Sequence, residues 1–248
     1  HFPLWNPNLF SGMPNYQVAM EGKSILPDTV KIFSLGLPKP MNFFFLACLC
    51  FYILALVLGV NPVLGMLGAL AYSFSTYNPV IIAAGHDTQM LATAFMPLLL
   101  AGLLSIYNKN YWLGLALTTF GTYQQLSVNH LQVSYYFFLI AALITIGYLV
   151  KWIKEKDWKH IGLAGGLTVL AAVIGVAGNA LVLMTTSEYS KYTMRGGKDL
   201  AIEGDTVKQV KTSGLDTDYA FQYSIDKPET FTLLMPNAFG GGSYARMK

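Results

Sequence analysis

The chain has 248 residues, 54% of them hydrophobic and only 12% charged, with a formal charge of +3 and a mean hydropathy of +0.45. Its apolar residues come in long blocks rather than amphipathic stripes, which is the pattern of a polytopic membrane protein and not of a water-soluble domain. No dense Lys/Arg cluster is interleaved with aromatics, so a nucleic-acid partner is set aside.

Residues 1–40 are polar and aromatic and are punctuated by Pro3, Pro7, Gly12, Pro14, Gly22, Pro27, Pro38 and Pro40, which leaves no room for a span. Trp5 and the neighbouring Asn6, Asn8 and Asn15 are suited to stacking on a sugar ring and bonding its hydroxyls, and equally to anchoring at a membrane interface. Pro27 can open a short helix with Asp28 in its first turn, and Ile25, Leu26, Val30 and Phe33 give it an apolar face to lie on the bilayer. The segment reads as an interfacial loop.

Six membrane spans are expected after it, at 41–60, 62–84, 88–107, 111–128, 130–150 and 161–184, each long enough to cross hydrocarbon at 1.5 Å per residue. Cys48 and Cys50 fall two apart on one of these helices, point in different directions and cannot bridge each other. Pro79 should break the second run into a span and a short helical piece leading to His86. The linker from Lys151 to Lys159 carries four lysines and two tryptophans, the make-up of a cytoplasmic loop at the interface, and the turn Asn108-Lys109-Asn110 has the same parity. Residues 1–40, the His86-Asp87 loop, the Asn129-His130 turn and the tail 185–248 then lie on the outer side. The tail has eight basic and eight acidic residues. Short helices are expected in it at 186–195 and 216–224, with turns at Lys227-Pro228 and at 240–242. A chain that opens at His1 without a signal pattern reads as lacking at least one upstream span.

Three polar clusters share the outer side. His86 with Asp87 can supply a general base, a metal ligand or an orienting pair, because a partly desolvated carboxylate has a raised pKa and an imidazole can share its proton. Most such schemes need a second carboxylate, and Glu21, Asp28 and Glu188 are the nearest outer candidates. Asn129 and His130 can line the same site or simply cap the helices that flank them. Glu188, Lys191 and Arg195 are spaced i, i+3, i+7; on a helix they share a face that can hold a phosphate, or else form an intrahelical Glu-Lys pair with a snorkelling Arg. Asp216-Thr217-Asp218 is read as a helix N-terminus rather than a metal motif. Neither an internal repeat nor an inverted pair of broken helices is present, which weighs against a transporter.

The segments Pro3-Leu4-Trp5-Asn6-Pro7, Phe10 through Gln17, Ala84-Gly85-His86-Asp87-Thr88, Ser127 through Gln132, Glu188 through Tyr192 with Arg195-Gly196, and Glu229 through Asn237 resemble the bacterial YfhO-type membrane proteins, particularly those of Bacteroidetes. That family is similar to the GT-C glycosyltransferases, which take a sugar from a polyprenyl-phosphate carrier and transfer it outside the cytoplasmic membrane. The resemblance implies an all-α membrane protein with about six transmembrane helices, and an outer-side active site. The usual catalytic acid would lie upstream of His1, and a second acidic position would fall on Asp87 with His86 beside it. The expected function is transfer of a glycosyl unit from a polyprenyl-phosphate donor to an envelope glycan or lipid acceptor, with a divalent metal left open as cofactor. A lipid-linked substrate transporter or flippase and a non-catalytic membrane scaffold are the alternatives. The expected organisation is an outer-side loop at 1–40, a transmembrane domain at 41–184 and an outer-side juxtamembrane segment at 185–248, in the bacterial inner membrane.

Overall fold

A computed structural model of the chain describes residues 5–8, 12–15, 28–193, 200–203, 206–209, 217, 221, 224, 227–233 and 235. The chain divides into two compact units, His1–Met184 and Thr185–Lys248.

In the first unit a hairpin of two-residue strands, β1 (Trp5–Asn6) with β2 (Met13–Pro14), precedes a short helix α1 (Thr29–Phe33). Asp28 starts α1 by accepting a hydrogen bond from the Lys31 backbone N–H, the capping role its short acceptor side chain favours. Seven helices then follow: α2 (Met41–Val57), α3 (Pro62–Ser73), α4 (Tyr77–Ala83), α5 (Asp87–Tyr107), α6 (Tyr111–Ser127), α7 (Leu131–Glu155) and α8 (Trp158–Ala177). A further helix among the described residues, α9 (Ala180–Ser190), runs across the division between the units. Helices α5, α7 and α8 are long and apolar enough to cross a membrane, and α2 is a shorter apolar helix.

Helix α5 is the centre of the bundle, packed against α2, α6, α4, α7 and α8. It is apolar all round and buries fourteen of its residues, from Met90 to Tyr107. Small residues let α6 approach it. A Cβ on Gly102 would stand 2.4 Å from the Thr118 backbone nitrogen, and one on Gly121 would stand 2.8 Å from the Leu99 Cα. Such close backbone approach increases dispersion contact along the seam. Pro97 inside α5 has no N–H to give the Thr93 carbonyl, and the Tyr72 hydroxyl of α3 donates to that carbonyl instead, at 2.7 Å.

The second expected run breaks at residues 74–76, as Pro79 requires, because its ring and missing N–H cannot continue the helix across Ser75. The freed carbonyls of Tyr72 and Ser73 accept from the buried Asn78 side-chain amide, at 3.0 and 2.9 Å. The sixth expected run, 161–184, is not one helix. It stops at Ala177 and restarts at Ala180, with Asn179 turned inward to donate to the Tyr123 and Gly175 carbonyls at 3.0 and 3.1 Å. A buried amide so placed gains two hydrogen bonds that a straight helix would not offer it.

At the end of the bundle where α5 and α7 finish, Lys109 donates to Asp157 at 2.6 Å, and each holds the other charged: Lys109 above and Asp157 below its ordinary value, by that hydrogen bond first. Beneath them His160 is buried, with Nε2 3.0 Å from the Tyr107 carbonyl and Nδ1 2.8 Å from the Tyr111 hydroxyl. A carbonyl only accepts, so Nε2 carries the proton, and in the neutral ring Nδ1 accepts from Tyr111. Trp152 lies edge-on to His160 at 4.6 Å and completes the cluster.

In the second unit, β3 (Leu200–Glu203) pairs antiparallel with β4 (Thr206–Gln209), a hairpin where the sequence suggested only helices and turns. A 3₁₀ turn covers Pro228–Leu233, just after the expected turn at Lys227. Apart from residues 217, 221 and 224, the helix expected at 216–224 lies outside the described residues, as does the turn at 240–242.

Candidate functional site

The ends of α4 and α6 and the starts of α2, α5 and α7 gather at one end of the bundle. Helix α4 stops with Gly85 at φ +79°, a left-handed conformation that costs glycine no Cβ clash. The Gly85 N–H bonds the Ile82 carbonyl at 2.9 Å and the His86 N–H bonds the Ile81 carbonyl at 3.1 Å, which together form a Schellman closure. His86 is thereby fixed as the last of the three residues, Ala84 to His86, between the two helices, and Asp87 becomes the first residue of α5. A carboxylate there faces the positive end of the helix dipole. Asn129 does the same service after α6. It sits at φ +54°, which asparagine tolerates better than most residues, and brings His130 to the start of α7.

Asp87 has a partner the sequence reading missed. Lys39, just before α2, donates to its Oδ2 at 2.5 Å, and the ammonium also lies 5.6 Å from the centre of the Phe43 ring. Both charged side chains keep solvent contact, 65% exposed for Lys39 and 36% for Asp87, so the pair fixes geometry more than it adds stability. At the next residue, Thr88 Oγ1 stands 3.1 Å from His130 Nδ1. His130 is held below the ordinary histidine value, first by desolvation and second by the neighbouring His86. Gln89 donates to the Tyr77 hydroxyl at 2.5 Å. Behind this surface Thr29 of α1 donates to Gln124 Oε1 at 2.7 Å, and Gln125 donates to Ser134 at 3.1 Å.

His86, Asp87 and His130 are thus brought together, with Lys39 and Thr88 added, while Asn129 serves as the turn that delivers His130. Trp5 lies on the β1–β2 hairpin with its indole against Gly12, and is 57% exposed. Glu188 and Lys191 belong to the second unit. There they form an ion pair at 2.9 Å, which raises the Lys191 pKa. The helix expected at 186–195 ends at Ser190, so Lys191 is in the turn after it, and Arg195 lies outside the described residues. Of the three expected second carboxylates, Asp28 caps α1, Glu188 is paired, and Glu21 lies outside the described residues. Among the described residues no three His, Cys, Asp or Glu side chains stand together as a metal would need. No family model, no curated protein and no solved structure matches the chain.

Proposed function

We propose that the chain is part of a multispan membrane protein of the GT-C glycosyltransferase kind. In this reading it uses the Lys39, His86, Asp87 and His130 end of the bundle to move a sugar from a polyprenyl phosphate to an envelope acceptor. Three long apolar helices and the resemblance of the polar segments support this reading. The observation that carries it is the Lys39–Asp87 pair beside two histidines, which combines a cation for a phosphate with a carboxylate for a proton. Donor binding exchanges the partner of Lys39, from Asp87 to the lipid phosphate, and the released carboxylate takes the proton of the acceptor hydroxyl. The acceptor oxygen bonds to the anomeric carbon as the sugar–phosphate bond breaks, and the phosphate leaves with the electron pair beside the ammonium. General-base help of this kind contributes about 10² to 10⁴ in rate.

The test is transfer of labelled sugar from a polyprenyl-phosphate donor by the full-length protein in reconstituted membranes. Asp87→Asn keeps the size of the side chain and should lower the rate by at least about 10², with folding unaffected. Lys39→Gln should act mainly on donor affinity, since a point charge at a phosphate contributes binding. Full activity in Asp87→Asn would leave His86-Asp87 as an ordinary wet turn. The exposed, self-neutralised Lys39–Asp87 pair also suits a second reading, a clamp in a non-catalytic membrane scaffold. In that case Lys39→Gln and Asp87→Asn would loosen α2 from α5 equally and no transfer would be found with either.

A further inference from the structure

Along one flank of α7, half-buried Ile144 and Tyr148 and exposed Gly147 and Lys151 line an open cavity of about 340 Å³. Their i, i+3, i+4, i+7 spacing places them on one side of the helix over about 10 Å of its length. Gly147 makes the notch: a Cβ there would meet nothing within 4 Å. Tyr148 makes a firm wall, because its ring is held by Tyr107 at 5.1 Å and Trp152 at 5.7 Å. Lys151 closes the end, exposed and without an ion pair among the described residues. Around it this end of the bundle carries Lys109, Lys154, Lys156 and Lys159 against only Glu155 and Asp157, and Asp157 is already engaged by Lys109.

We propose that this groove binds an anionic phospholipid, with its phosphate on Lys151 and one acyl chain laid along Ile144, Gly147 and Tyr148. The inference rests on the membrane reading given above. The chemistry commits to a lipid for two reasons. An apolar stretch of about 6 Å, from Ile144 to Tyr148, followed within about 10 Å of its start by a cation, puts a headgroup at the edge of a leaflet whose hydrocarbon is about 15 Å deep and the upper part of an acyl chain on the helix face. An apolar helix from another copy would cover Lys151 with nothing to pair it, which is costly in hydrocarbon. Exposed Trp158, at the same end, suits the headgroup level.

The experiment is native mass spectrometry of the purified chain offered equal amounts of phosphatidylglycerol and phosphatidylethanolamine, with membrane fractionation of the same variants. Wild type should retain phosphatidylglycerol in preference. Lys151→Gln should lose about fivefold of that preference, the worth of one basic residue at an anionic surface. Lys159→Gln, away from the groove, should keep it, and Gly147→Leu, which fills open space, should shed both lipids. Equal losses in Lys151→Gln and Lys159→Gln would mean diffuse charge and overturn the site. So would unchanged adducts in Gly147→Leu, or a dimer lost in Gly147→Leu with its lipids retained. If wild type fails to fractionate with membranes, the membrane reading itself falls. If it fractionates with them and the adducts do not respond, only the lipid site falls.

Discussion

His130 illustrates what a single residue contributes at the polar end of the bundle. Its burial beside Thr88 and the proximity of His86 both disfavour the charged ring, so its folded pKa lies below the ordinary 6.5. Protons then bind more readily to the unfolded chain. The contribution of His130 is fully present above 6.5 and is lost as pH falls through that value and on through the folded one. Thermal midpoints measured on either side of the histidine range should drop on the acidic side in wild type, and drop less in His130→Gln. An equal drop in both would assign the acid sensitivity elsewhere. Asp87 was legible as a candidate because a carboxylate between long apolar runs is expensive. Its partner was not legible, because 48 residues separate Lys39 from Asp87 and only the return of α5 to the start of α2 joins them.

At the scale of elements, helix contacts are decided by where a Cβ has room. Gly121→Ala should destabilise by about 1–3 kcal/mol, since the new methyl meets the Leu99 backbone rather than a side chain that can swing away. Gly166→Ala meets nothing within 4 Å and should be neutral or stabilise by up to about 1 kcal/mol through helix propensity. Thermal unfolding of the two in the same detergent separates packing from propensity, and equal shifts would contradict the close α5–α6 seam. The positions of the helices were readable because apolar blocks and turn residues mark them, and the break before Pro79 was readable because proline removes a donor. The break at Gly178-Asn179 was not, since one asparagine in an apolar run looks like an ordinary interior residue until the Tyr123 carbonyl on α6 is placed opposite it. The β3–β4 hairpin was missed because its strands, four residues each, are at the short end of what alternation can mark. The groove on α7 was hidden for a related reason, since a glycine in a helical run does not announce whether a neighbour or open space faces it.

For the whole molecule, the membrane reading makes Lys156 cytoplasmic and Ser213 external. Single cysteines at those positions, in a background lacking Cys48 and Cys50, should label from opposite sides of intact cells. Labelling of both from outside would reverse or recount the spans. The proline gap in α5 has a bearing on how such a chain is made. For a protein that enters a bilayer helix by helix, a bare carbonyl at Thr93 would be a liability at the moment α5 leaves the translocation machinery. Its donor, Tyr72, lies twenty-one residues earlier in the chain and has therefore already been synthesised. Asn179 is the reverse case: it comes fifty-six residues after the Tyr123 carbonyl it serves. The order of synthesis thus separates a gap that can be filled on entry from a lock that can form only after α8 has arrived.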